Sequence, residues 1–123
     1  MAQPKTILTV DDSRTIRDML MSTLAAAGYE VVQAEDGVEA LERLRETRPA
    51  AILTDINMPR MDGFELIAEV RRDSANRSIP ILVLTTESEP DRKERAKAAG
   101  ATGWIVKPFN PEKLLDALRR VGA

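Results

Sequence analysis

Five times along 123 residues a short apolar, β-branched run gives way to a segment of helical periodicity. That alternation leaves few folds open. The strand candidates are Thr6 to Val10, Glu30 to Ala34, Ala51 to Thr54, Ile81 to Leu84 and Thr102 to Val106. Continuously apolar runs such as Ile81-Leu82-Val83-Leu84 suit strands covered on both faces. Ile16, Met19, Leu20, Thr23, Leu24 and Ala27 recur at helical spacing, with Ser13 as N-cap and Gly28 past the end. Asp36 with Glu39, and Asp62 with Glu65, have capping-box spacing ahead of two further helices. Asn110-Pro111 opens the last. Five βα units predict an α/β domain, a (βα)5 doubly wound parallel sheet with right-handed crossovers and helices on both faces. At this length residues 1–123 are expected to form one domain, and with the chain ending three residues after Arg120 no output domain is expected.

The fourth helical segment differs from the rest. From Ser88 to Gly100 it reads SEPDRKERAKAAG, with no apolar side chain larger than alanine except proline. This composition describes either a solvated face or a weakly held element that shifts at small cost.

Composition narrows the chemistry. The chain has neither cysteine nor histidine, which removes thiolate and imidazole metal sites, Ser-His-Asp triads and imidazole bases. What remains is carboxylates, hydroxyls, lysine and a hard metal. A net charge of −2 offers no general attraction to nucleic acid, and no run approaches membrane-spanning length. A cytoplasmic protein without nucleic-acid or membrane partners is expected.

Ligands of open parallel sheets sit beyond the carboxyl ends of the strands. Asp11 and Asp12 follow the first strand, Asp55 and then Asn57 the third, Thr85 and Thr86 the fourth, Lys107 and Pro108 the fifth. After the second come only Glu35 and Asp36, which capping explains. If the first and third strands are neighbours, three aspartates converge and repel unless a cation sits among them. Oxygen ligands alone point to Mg²⁺. In such a pocket a carboxylate can attack a phosphoryl group, while metal, lysine and hydroxyl offset the charge on its oxygens.

From TILTVDDS to KPFNPEKLLDAL, including AEDGVEAL, LTDINMPRMDGFEL, VLTTE and GATGWIVKPF, the sequence resembles response-regulator receiver domains. The resemblance implies the flavodoxin-like strand order 2-1-3-4-5. It makes Asp55 the phosphoryl acceptor, and it assigns Mg²⁺ to Asp12, Asp55 and the Asn57 carbonyl, with Asp11 acting through water. Thr85 would bond the phosphoryl group and Lys107 pair with it, ahead of a cis bond to Pro108 that places the lysine. Trp104 stands where receivers usually carry a switching Tyr or Phe, though an indole offers only an N–H. Asn57 and Glu87 occupy positions that tune hydrolysis in the family.

Free-standing form and the stretches DDSRTIRDML and INMPRMDG lean toward chemotaxis regulators. The implied partners are a chemotaxis-type histidine kinase, the flagellar motor switch docking on the fourth helix, fifth strand and fifth helix, and a phosphatase, with the protein a monomer. Its catalysis would be confined to its own phosphotransfer and autodephosphorylation. Three readings compete. A phosphate sink or relay would keep the chemistry without motor output. A Mg²⁺-dependent phosphatase needs a general acid two residues after its nucleophile, where Asn57 cannot serve. A flavin module needs a Ser/Thr/Gly-rich loop after the first strand, where DDSRT would repel phosphate.

Overall fold

The computed structural model describes residues 4–123. The order is β1 (Thr6–Val10), α1 (Arg14–Ala26), β2 (Glu30–Ala34), α2 (Gly37–Glu46), β3 (Ala51–Thr54), α3 (Gly63–Arg72), β4 (Ile81–Thr85), α4 (Pro90–Ala99), β5 (Gly103–Val106) and α5 (Pro111–Arg120). The strands form one parallel sheet, β2-β1-β3-β4-β5, as expected.

Strand periodicity divides the core in two. Ile7, Leu53, Leu82 and Leu84 point to one face and pack with Leu20 and Leu24 of α1 and Leu114 and Leu118 of α5. Leu8, Val10, Ile52, Ile81 and Val83 point to the other, against α2, α3 and α4 through Ala40, Leu44, Phe64, Ile67, Val70 and Ala96. Fully burying each Leu or Ile contributes about 1.5–3 kcal/mol, so the two layers fix the sheet and with it the strand ends.

Local signals set most boundaries. Ser13, Asp36, Asp62 and Asn110 each accept an N–H of the following helical turn. The capping box at α2 is displaced by one residue: Glu39 returns its carboxylate to the Glu35 N–H at 2.8 Å. Three expectations shift. β4 runs one residue further, making Thr85 its last member. β5 starts one residue later, because the Thr102 hydroxyl accepts the Ile81 N–H at 3.0 Å in place of a ladder bond. Met19, expected on the inner face of α1, is 48% exposed, since Leu20 and Leu24 suffice to fill that contact.

α4 is as lightly packed as its composition suggests, with Ala96 its one buried residue. Gly100 closes it at φ 117°, a left-handed conformation suited to glycine.

Candidate functional site

Strand order reverses between β1 and β3, and the crevice lies where these two strands end. Val10 is paired with Thr54, and the Asp55 N–H donates to the Val10 carbonyl at 2.9 Å. The ladder therefore delivers Asp11 and Asp55 side by side. Asp12 completes the group: one carboxylate oxygen from each of Asp11, Asp12 and Asp55 lies within 4.8 Å of the others.

Lys107 enters from the end of β5. Its Nζ donates to Asp11 Oδ2 at 2.7 Å and Asp55 Oδ2 at 2.9 Å. All three side chains are withdrawn from solvent, at 10% exposure for Lys107, 2% for Asp11 and 12% for Asp55, while Asp12 is exposed. The Lys107–Pro108 peptide bond is cis. The other Asp55 oxygen accepts the Ile56 N–H at 2.6 Å, and Asp11 Oδ1 accepts the Ser13 N–H at 2.9 Å.

The charges answer to one another. Burial raises the pKa of Asp11 above its ordinary value, overriding the hydrogen bonds from Lys107 and Ser13. For Lys107 burial pulls downward, but the hydrogen bonds it donates to Asp11 and Asp55, together with their charges, prevail, and its pKa is raised. One ammonium thus serves two inner carboxylates while a third stands at the rim. The donor set is all oxygen, which fits a hard divalent cation such as Mg²⁺.

Glycine shapes the floor. A Cβ on Gly63 would stand 2.3 Å from the Asp55 carbonyl oxygen and 2.8 Å from Ile56 Cα. The first residue of α3 therefore lies directly under the Asp55 main chain, and its N–H donates to the Ile56 carbonyl at 2.8 Å. The sequence marks Gly63 only as the residue after a cap; the close approach belongs to the tertiary fold.

Thr85 is fully buried at the end of β4, with its hydroxyl accepting the Glu87 N–H at 3.3 Å. Asn57 Nδ2 donates to Glu87 Oε1 at 3.1 Å, spanning the mouth from the β3–α3 loop to the β4–α4 loop. Trp104 donates its indole N–H to the Glu87 carbonyl at 3.1 Å and packs against the α2–α3–α4 layer. Glu87 thereby touches both Asn57 and Trp104.

Several contacts had no sequence signal. Arg17 donates to the Asp11 carbonyl at 2.6 Å. Arg60 grips Asp36, so that residue does more than cap α2. Arg71 donates to the carbonyls of Arg77, Ile79 and Gly100 at 2.7–3.0 Å, tying α3 to the end of α4. Long arginines reach across elements, and spacing along the chain does not record where they land.

Comparison with known proteins gives a consistent picture. The response regulator receiver domain family matches residues 7–119. Chemotaxis protein CheY1 of Helicobacter pylori is 44% identical over 117 residues, covering 94% of each chain. The crystal structure of chemotaxis protein CheY4 of Vibrio cholerae superimposes with a TM-score of 0.92 at 52% identity, over 97% of this chain and 99% of that one. The receiver domain of sensor histidine kinase PA1611 from Pseudomonas aeruginosa, solved with a magnesium ion coordinated in its active site cleft, gives 0.90 at 30% identity, over 98% and 100%.

Proposed function

The chain belongs to the response regulator receiver domain family, and from that premise we propose that Asp55 accepts a phosphoryl group beside Mg²⁺ and reports it through α4, β5 and α5. It is a signalling domain of the two-component type, similar to chemotaxis regulators over nearly its whole length. The observation that carries the reading is the Lys107 ammonium held between Asp11 and Asp55 with Asp12 at the rim.

An Asp55 carboxylate oxygen attacks phosphorus; the bond to the donor nitrogen or oxygen breaks, and the donor leaves with that electron pair. Asp12, Asp55 and the Asn57 carbonyl would hold the cation, with Asp11 acting through water. When bound, Mg²⁺ supplies positive charge that offsets the phosphoryl oxygens. Lys107, already within 2.9 Å of Asp55, supplies a second positive charge. The Thr85 hydroxyl, one bond from the mouth through Glu87, turns to donate to a phosphoryl oxygen. Asn57 and Glu87 govern the approach of the hydrolytic water across the mouth they span.

Readout runs through the β4–α4 loop. Drawing Thr85 inward shifts Glu87, to whose carbonyl Trp104 is bonded, and frees the indole to change rotamer. Grooves flank β5 on both sides, one lined by Lys93 and Lys97 of α4, the other by Lys113 and Arg120 of α5. Each lining carries two basic side chains against one acidic one, Glu94 or Asp116, a balance that suits an acidic segment of a target, with the flagellar motor switch the target proposed. A chemotaxis-type histidine kinase is the donor, a phosphatase the further partner, and a cytoplasmic monomer the form in which it acts. Among the described residues no helix is long and apolar enough to cross a membrane.

The test is acetyl phosphate with and without Mg²⁺, followed by intact mass and Trp104 fluorescence. A magnesium-dependent gain of one phosphoryl group, lost in Asp55→Asn, is expected. Labelling that persists in Asp55→Asn, or that ignores the metal, refutes the reading.

A further inference from the structure

The β3–α3 loop leaves Asp55, carries Asn57, and must fold back before α3 begins. It does so through a tight turn at Arg60. The Met61 N–H donates to the Pro59 carbonyl at 2.7 Å, across an Arg60 held at φ 63°. A left-handed conformation is uncommon for a residue with a Cβ, and a three-residue turn of this hand is strained. Strain of this kind persists where surrounding contacts over-determine it.

The contact that does so is unusually specific. Arg60 Nε donates to Asp36 Oδ2 at 2.7 Å and its Nη2 to Asp36 Oδ1 at 3.1 Å. A two-pronged guanidinium–carboxylate pair fixes orientation as well as distance. Asp36 is a rigid anchor: its side chain is 3% exposed and also accepts the Glu39 N–H at 2.9 Å. The acid's pKa is lowered even though burial pushes it upward, because the hydrogen bonds from Arg60 and the Glu39 N–H outweigh that push. The Gly37 N–H adds a main-chain bond to the Met61 carbonyl at 3.2 Å. Most surface ion pairs contribute little; this one fastens a strained turn to a buried, doubly bonded carboxylate.

We propose that the Arg60–Asp36 clasp is a positioning device for the cation site, locking the loop so that the Asn57 main chain stays beside Asp55. The inference rests on the reading of Asn57 as a carbonyl ligand. Arg60 itself touches no ligand; it acts through Met58 and Pro59, the two residues between it and Asn57.

Electrostatics separates this role from a bland one. Deleting a positive charge near a divalent site would by Coulomb's law strengthen cation binding. Deleting a positioning contact weakens it, by about tenfold on the scale of outer contacts to metal ligands. The experiment is isothermal titration of Mg²⁺ into the unphosphorylated protein, wild type against Arg60→Met and Arg60→Gly, with thermal unfolding of each. Glycine accepts the left-handed turn, so Arg60→Gly removes the clasp without leaving strain behind.

The expected result is about tenfold weaker Mg²⁺ binding in both variants, faster exchange of the Gly37 amide, and an unfolding midpoint lowered in both by the loss of Asp36's partner, less in Arg60→Gly, which sheds the left-handed strain. Unchanged or tighter binding in both variants overturns the proposal. So does weak binding in Arg60→Met with normal binding in Arg60→Gly, which would assign the effect to backbone strain. A wild type that fails to bind Mg²⁺ removes the cation reading itself, a failure distinct from these.

Discussion

Gly63→Ala offers the sharpest test of how Asp55 is held. The added Cβ would meet the Asp55 carbonyl oxygen at 2.3 Å, Ile56 Cα at 2.8 Å and Ile56 Cδ1 at 2.9 Å. Ordinary carbon–oxygen contacts lie near 3.3 Å, so the main chain must open by about 1 Å. Two of the three obstacles are backbone, and the Asp55 carbonyl is further tied by the Thr54 hydroxyl at 2.8 Å. Overpacking of this severity costs about 3 kcal/mol. Alanine's better helix propensity returns under ~1 kcal/mol at a first helical position. The net, about 2–3 kcal/mol, lowers Tm by roughly 10 °C in a domain of this size. A displacement of about 1 Å at a nucleophile slows labelling by up to ~100-fold. Circular dichroism melts and acetyl phosphate labelling followed by mass check both. Gly28→Ala is the control: its Cβ would meet nothing within 4 Å, although φ is 94°. That variant should lose only the left-handed penalty of about 1–2 kcal/mol and label normally. A Gly63→Ala protein that melts within 2 °C (about half a kcal/mol) of wild type and labels at the wild-type rate refutes the close-contact account.

Lys107→Met leaves two inner carboxylates facing each other without a cation and should cost about 2–4 kcal/mol in metal-free buffer by denaturant melts. Mg²⁺ should restore more stability to this variant than to wild type. Because the folded pKa of Lys107 is raised above 10.5, its contribution is full below that value and fades as pH rises through the folded one; the two stability curves should converge in strong alkali. Asp12→Asn removes one of three like charges from the rim and should raise metal-free stability by up to ~1 kcal/mol while weakening Mg²⁺ at least tenfold, seen by titration calorimetry. Arg71→Lys replaces a fork that serves three carbonyls with a single point charge. It should cost about 2–3 kcal/mol and expose the loop before β4 to faster amide exchange.

What the sequence disclosed follows the range of the forces involved. Capping is local, so Ser13, Asp36, Asp62 and Asn110 marked their helices directly. The clustering of Asp11 and Asp55 was legible once the family resemblance supplied the strand order, since parallel neighbours bring strand ends together, and the Val10–Thr54 pairing does that here. Thr102 escaped because its hydroxyl replaces a ladder bond, a choice no propensity encodes. Gly63, Arg60 and Arg71 escaped for another reason. Each acts on a segment remote in sequence or on main chain brought close only by folding. Asp36 is the instructive case, since one sufficient local explanation concealed a second, longer-range duty.

The fourth helix unites these observations. It buries one alanine, so side chains at its ends must do what a core would otherwise do. At its C-terminus Arg71 reaches the Gly100 carbonyl at 3.0 Å from a site whose burial lowers the arginine's pKa; hydrogen bonds from a charged donor are stronger than those between neutral groups. At its N-terminus Glu89 provides no side-chain cap. The holding contacts there are Arg92 to Glu87 at 3.7 Å and two arginines over the Phe64 ring, at 5.9 Å and 4.0 Å from its centroid. Partly exposed ion pairs and cation–π contacts contribute about 0.5–1 kcal/mol each. The helix is therefore firm at the end far from Asp55 and loose at the end that meets the Thr85–Glu87 loop. A small displacement of Thr85 works against about 2 kcal/mol at that end, which is the scale on which a bound ligand shifts a two-state equilibrium. In the readout proposed above, the same looseness that makes α4 a poor contributor to stability would let Glu87, bonded at once to Asn57 and Trp104, carry a change at the site to the surface beside β5.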